Sequence, residues 1–264
     1  IFHEGGHEYL YGILGNNEWK DGWLDEGFTS FQSGYRNQAG RRAASGGSSG
    51  TTGNPGGRSG TGRASSGAQQ AILGMDLDGW SQPLSLPAEL YSDFSVYNQM
   101  VYSKGALFFE MLRYVVGEDA FRRGLRAYYA RWKLKHVDEH ALRGAMEAAS
   151  QQDLSWFFAE WLHGTPLVDY GVRDVRRERT ADGWRTRIEI ERLGDGVMPV
   201  DIAVPVGDSV LVVRASGLTP REVVEVVTAT RPGRVELDPA RRTMDWNYLN
   251  NLEGPRTLFG RSRA

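Results

Sequence analysis

The chain opens on His3-Glu4-Gly5-Gly6-His7, and this pattern limits its fold more than any other feature of the sequence. On a helix, residues i and i+4 stack on one face about one turn apart, so both imidazoles can reach a single divalent cation. Glu4 then points beside the cation rather than at it, where its carboxylate can take a proton from a water molecule. With eighteen residues between it and His7, Glu26 lies within Trp23-Leu24-Asp25-Glu26-Gly27-Phe28, an acidic pair flanked by large apolar side chains. Burying carboxylates there costs several kcal/mol unless a cation compensates. The sequence contains no cysteine, which excludes disulfides and thiolate ligands, so a metal must be held by His, Asp or Glu. We therefore expect His3, His7 and Glu26 to bind one Zn2+. Two neutral imidazoles and one carboxylate leave a fourth tetrahedral position for water, as catalytic rather than structural zinc requires.

The rest of the chain divides by composition. With 264 residues, 40% of them hydrophobic, it can bury one large core or two modest ones, and the second is our expectation. The first part, residues 1–166, reads as mainly helical. Helical patterns run from Ile1 to Leu14, from Trp23 to Gln38, from Lys104 to Val116 and from Ala120 to Trp132; a further helix starts at Asp138, and another spans Leu154 to Leu162 after Asp153. Residues 39–68 are Gly, Ser, Thr and Arg with almost no apolar side chain, and they read as a flexible insertion whose Arg41, Arg42, Arg58 and Arg63 are solvated. Gln69 to Leu90 reads as irregular. Residues 167–251 turn to period two between Gly-rich turns and predict a small antiparallel β-sandwich, with strands at Trp184–Ile190, Met198–Val206, Ser209–Val213, Glu222–Val227 and Arg234–Leu237. A polar tail, residues 252–264, follows. The fold class expected is α+β.

The 31 basic and 33 acidic residues nearly cancel, so no global field selects nucleic acid or an anionic membrane as partner. No apolar run approaches the roughly 20 residues that span a bilayer. His136, His140 and His163 fall outside the metal pattern and are read as surface residues. Because Ile1 lies only two residues before the first ligand, we expect a fragment that lacks an N-terminal part. Compartment and oligomeric state are open.

The layout H-E-x-x-H, then eighteen residues to the Glu of W-L-D-E-G-F, resembles the aminopeptidase N and leukotriene hydrolase family of gluzincin metallopeptidases. Thermolysin-type enzymes are similar but place one more residue before the glutamate and an Asp four residues after it, where this chain has Ser30. A second stretch, Tyr97-Asn98-Gln99-Met100-Val101-Tyr102-Ser103-Lys104-Gly105, is similar to the family segment with two tyrosines five apart before a Lys-Gly pair. The resemblance implies that Tyr102 is catalytic and donates a hydrogen bond to the developing oxyanion. Tyr97 either assists it at the substrate or packs. A looser likeness continues through Trp156-Phe157-Phe158, Glu160 to His163, Leu237-Asp238-Pro239 and Asp245 to Asn251. It implies a thermolysin-like catalytic domain, represented by its C-terminal part, ahead of the β domain. The implied activity is zinc-dependent removal of N-terminal residues from peptides. A thermolysin-like endopeptidase and a non-catalytic metal-containing scaffold are the alternatives. The family strand that holds the substrate's free amine lies upstream of the zinc helix, so exopeptidase specificity is not read from these residues.

Overall fold

The metal-pattern residues lie on α1 (Phe2–Leu10), which ends where Gly12 interrupts the expected longer helix. Leu14–Asn16 instead forms β1 and pairs in parallel with β2 (Lys135–Val137), which carries His136. The computed structural model describes residues 2–34 and 67–254. It is an α+β protein that divides into two units, one reaching residue 165 and one made mainly of residues 166 onward. Of the expected insertion at 39–68, residues up to 66 and its arginines lie outside the described residues, as do helical residues beyond 34 and the expected tail from 255, whereas Gly67 and Ala68 are helical rather than part of a flexible insertion.

In the first unit, α2 covers residues 18–34 and begins earlier than the sequence pattern suggested. Asn17 caps it, its Oδ1 accepting from Trp19 N at 3.1 Å and Lys20 N at 3.3 Å. After a kink at Asp21 the helix passes through a π turn, Trp23–Gly27, and then returns to α geometry. Gly67–Leu77 is helical (α3), which corrects the irregular reading of this stretch. Ala68, Gln69, Gln70, Ala71 and Leu73 are good helix formers, and the Pro and Asp residues that suggested a loop lie mostly beyond it. Helix α4, residues 94–116, starts at the Asp93 cap, contains a second π turn at Gln99–Lys104 and continues as Gly105–Val116. Apolar side chains on nearly every face of that last stretch are buried, which makes it the central helix.

Around this central helix, α5 (Glu118–Trp132), α6 (Glu139–Ser150) and α7 (Ser155–Trp161) complete the unit. Asp138 caps α6 as expected, its Oδ1 accepting from Ala141 N at 3.0 Å. The core is aromatic. Trp23 packs edge-on to Phe108 at 5.1 Å, Phe28 meets Phe109 at 4.7 Å, Phe31 meets Phe121 at 5.7 Å and Phe108 meets Phe157 at 5.1 Å. Residues on both sides of Glu26 are thereby locked to α4. Among the described residues, no helix is long and apolar enough to cross a membrane.

The second unit holds two three-stranded antiparallel sheets, one ordered β3-β4-β7 and one β6-β5-β8. Their strands are β3 (Tyr170–Thr180), β4 (Gly183–Arg192), β5 (Val200–Val206), β6 (Ser209–Ala215), β7 (Arg221–Thr228) and β8 (Glu236–Leu237). The longest, β3, is not singled out by the sequence pattern, because Arg173-Asp174-Val175-Arg176-Arg177-Glu178-Arg179 is charged on both faces. Ladder pairing with β4 and ion pairs such as Arg177–Glu253 hold it instead.

Candidate metal centre

Helices α1 and α2 bring His3, His7 and Glu26 together: one ligand atom from each lies within 4.8 Å of the other two. His3 Nε2 is 3.0 Å and His7 Nε2 is 3.3 Å from the same Glu26 oxygen, Oε2. Ligands 2.0–2.2 Å from a tetrahedral zinc are separated by roughly 3.3 Å, close to the two distances from each imidazole to the Glu26 oxygen. The imidazole rings lie 4.8 Å apart and nearly perpendicular. Glu4 is exposed, and its charge acts on His7. Two nitrogens and a carboxylate oxygen, with no thiolate, form a donor set suited to zinc.

Asp25 is the residue that sequence reasoning missed. It was legible only as half of an acidic pair, yet its carboxylate is 2% exposed and its Oδ1 lies 2.6 Å from His7 Nδ1. A carboxylate behind a ligating imidazole fixes the ring's orientation and tautomer and makes the other nitrogen a better donor to metal. The charges agree. Burial works against a proton on His7, but Asp25, Glu26 and Glu4 outweigh it and hold the imidazole above its ordinary value, so the pocket attracts positive charge. Burial also raises Asp25, with His7 opposing the rise. Replacing Asp25 with alanine is expected to weaken zinc binding about 10- to 100-fold, read by competition with a chromogenic chelator. Asparagine, which retains an acceptor oxygen, should recover part of that loss.

Tyr102 lies beside this cluster. Its ring stacks on His3 at 5.9 Å and 22°, and its hydroxyl donates to Glu26. Burial, followed by that hydrogen bond and the charge of Glu26, raises its phenol far above the ordinary value, so Tyr102 stays protonated and able to donate. Tyr97 is packed between Tyr91 and Phe94, 5.5 and 6.2 Å away, and is also within reach of the Glu26 charge. His136 and His140 are exposed and stand apart from the cluster; His163 bonds Ser85 and Glu139.

Glu26 and Tyr102 both sit in π turns, and these turns meet at two glycines. A Cβ on Gly27 would lie 2.9 Å from Gly105 Cα and 3.0 Å from Val101 O, closer than atoms can approach. Only bare backbone allows α2 and α4 to cross here with the carboxylate and the phenol side by side. Gly105→Ala is expected to cost about 1–3 kcal/mol by overpacking against backbone that cannot yield, seen as a lower Tm in thermal denaturation.

A helix-borne H-E-x-x-H pair closed by a carboxylate from a second helix is a group that could hold a metal ion. Residues 1–161 match the model of the peptidase family M1 domain, and the chain belongs to that family. It is 34% identical over 93 residues to aminopeptidase N of Lactococcus lactis subsp. lactis, a match that covers 34% of this chain and 11% of that protein. To aminopeptidase N of Streptomyces lividans it is 27% identical over 192 residues, 73% of this chain and 21% of the relative. Among solved structures, Legionella pneumophila aminopeptidase A in complex with aspartic acid is similar in fold, with a TM-score of 0.60 and 16% identity over 90% of this chain and 26% of that one. The chain thus spans about a tenth to a quarter of the length of these relatives.

Proposed function

We propose that the chain carries the zinc-binding part of a metallopeptidase that removes N-terminal residues from peptides, on a thermolysin-like helical catalytic domain followed by a β-sandwich. The observation that carries this reading is the convergence of His3, His7 and Glu26, whose ligand atoms lie within 4.8 Å of one another, with both Nε2 atoms 3.0 and 3.3 Å from one Glu26 oxygen. His3, His7 and Glu26 would hold the ion, which when bound supplies Lewis-acid polarisation of a peptide carbonyl and of water. Asp25 orients His7. Glu4 takes a proton from the attacking water and passes it to the leaving amine. Tyr102 donates its hydroxyl to the carbonyl oxygen as negative charge develops there. The aminopeptidase names of the relatives support exopeptidase action, and the W-L-D-E-G-F spacing favours it over thermolysin-type endopeptidase action.

The test pairs metal analysis with two substrates. Expected are one zinc per chain and hydrolysis of a free aminoacyl reporter but not of an N-terminally blocked internal peptide, both in the full-length protein. Cleavage of the blocked peptide alone would replace this reading with an endopeptidase, and stoichiometric zinc with neither activity would leave a scaffold. Tyr102→Phe is expected to lower kcat about 10²- to 10³-fold, by analogy with the loss of an oxyanion donor, with metal content unchanged in elemental analysis.

A further inference from the structure

The two sheets of the second unit end on four edge strands, β3 and β7 in one and β6 and β8 in the other. Three of these edges are blunted in ways that keep further strands from adding to them. Strand β8 is two residues long, β3 is charged on both faces, and β7 interrupts its valines with Glu222 and Glu225. Strand β6 has no such device. Val210-Leu211-Val212-Val213 runs without a charge, and Val210, Leu211 and Val212 are 44%, 40% and 54% exposed. Both faces of the strand contribute: Leu211 lies opposite the wholly buried Val204 on one face, and Val210 and Val212 lie opposite Pro205 and Ala203 on the other. The hydrogen-bond phase of β6 follows from the turn before it. Gly207, at φ +58°, and Asp208 make a two-residue turn, so Val206 and Ser209 are its closing hydrogen-bonded pair. Alternate residues from there, Leu211 and Val213, bond inward to β5. Val210 and Val212 direct their N–H and C=O groups outward, where no strand meets them among the described residues.

We propose that β6 is the contact between two copies of this chain, paired antiparallel across a two-fold axis so that two three-stranded sheets join into one of six. Outward-bonding residues must face outward-bonding residues, which leaves two such pairings that overlap the apolar run. With the axis at Val212, Arg214 stands opposite Val210 of the second copy. With the axis at Leu211, Val210 and Val212 exchange hydrogen bonds with Val212 and Val210 of the second copy, and Arg214 stands opposite Asp208 at both ends of the seam. An opposite-charge pair directly across two strands is favourable, and this selects the Leu211 axis. Arg214 is already held on its own face by Asp201, Nε to Oδ1 at 2.7 Å, so its charge is in place for the second carboxylate. A second copy brings both halves of the charge pair together with a matching uncharged run, as a self-complementary two-fold contact requires. An edge of a few residues buries less than the roughly 1,200 Å² of a stable interface, so association belongs in the micromolar range.

Sedimentation velocity on the full-length protein should show a monomer–dimer equilibrium with a Kd of about 10–100 µM. Val212→Lys, at an exposed position, should weaken dimerisation about tenfold or more at unchanged Tm, because it sets an ammonium against the valines of the second copy. These 264 residues contain no cysteine, so one introduced thiol reports the register, with the unsubstituted protein as oxidation control. On mild oxidation Leu211→Cys should cross-link into a dimer, since residues facing each other in a non-hydrogen-bonded pair have Cα atoms about 4.5 Å apart, within disulfide reach. Val212→Cys should not, because its two copies are diagonal neighbours roughly 8 Å apart. A protein that stays monomeric at about 100 µM and gives no Leu211→Cys cross-link overturns the proposal. A dimer that Val212→Lys leaves intact overturns it as well, by placing the contact on another surface. Cross-linking through Val212→Cys in place of Leu211→Cys overturns the Leu211 axis.

Discussion

Glu4→Ala is expected to leave one zinc per chain while peptide hydrolysis falls by about two to four orders of magnitude. Glu4 follows His3 directly, so the helix aims its carboxylate past the ligand cluster, and it is exposed to the solvent that supplies the water. None of the three ligand contacts passes through it. Its removal therefore takes away a proton acceptor and leaves the ion held. His7→Ala should behave differently, losing zinc and activity together, because the substitution removes both a donor atom and the partner of Asp25. Elemental analysis beside steady-state rates separates the two cases. A Glu4→Ala protein that retains near wild-type turnover would remove Glu4 from the mechanism while leaving the metal site intact.

Asp76→Ala is expected to destabilise the helical unit by about 3–5 kcal/mol, since it strands a buried lysine without its counter-charge. Lys104, in the π turn just after Tyr102, reaches Asp76 of α3 at 3.3 Å, and both side chains are almost wholly inaccessible. Burial pulls the Lys104 ammonium below its ordinary range and Asp76 opposes that pull. Without Asp76 the depression deepens. The folded chain then binds fewer protons than the unfolded chain as pH rises toward the lysine range, so ∂ΔG/∂pH is positive and the deficit should narrow between pH 7 and 9. Pairing Asp76→Leu with Lys104→Met should restore much of the stability, because an apolar pair of similar volume carries no desolvation penalty. Chemical denaturation at the two pH values, on the single and double variants, checks each step. A deficit that is small and flat with pH would mean that water reaches the pair.

The glycines near the site show why sequence reading gave the residues of the centre but not its construction. Glycine after Glu26 and after Lys104 reads as a local helix weakness, yet each is required by the other, 78 positions apart in the chain and touching in space. The π turns are also not legible. Each adds a residue to a helical turn and rotates everything after it by about 100°, so a strict 3.6-residue period misplaces the faces of Trp23–Gly27 and Gln99–Lys104. Strand β3 was obscured for a different reason: its partners, not its own alternation, hold its charges. Asp25 was visible only as an acid, because its role depends on which ring nitrogen it faces.

By itself the sequence determined the chemistry on offer: an i, i+4 imidazole pair, a base beside it, a third carboxylate in an apolar setting and no thiolate. Side-chain type and helical spacing are local properties, and local spacing is written directly in the chain. Tertiary structure alone decided that Glu26 completes the triangle, that Asp25 stands behind His7, that Lys104 buries itself against Asp76 and that Tyr102 reaches Glu26. Those outcomes depend on where separate helices cross, which is set by close packing of the Trp23, Phe108 and Phe109 core and by two glycines that allow backbone to touch backbone.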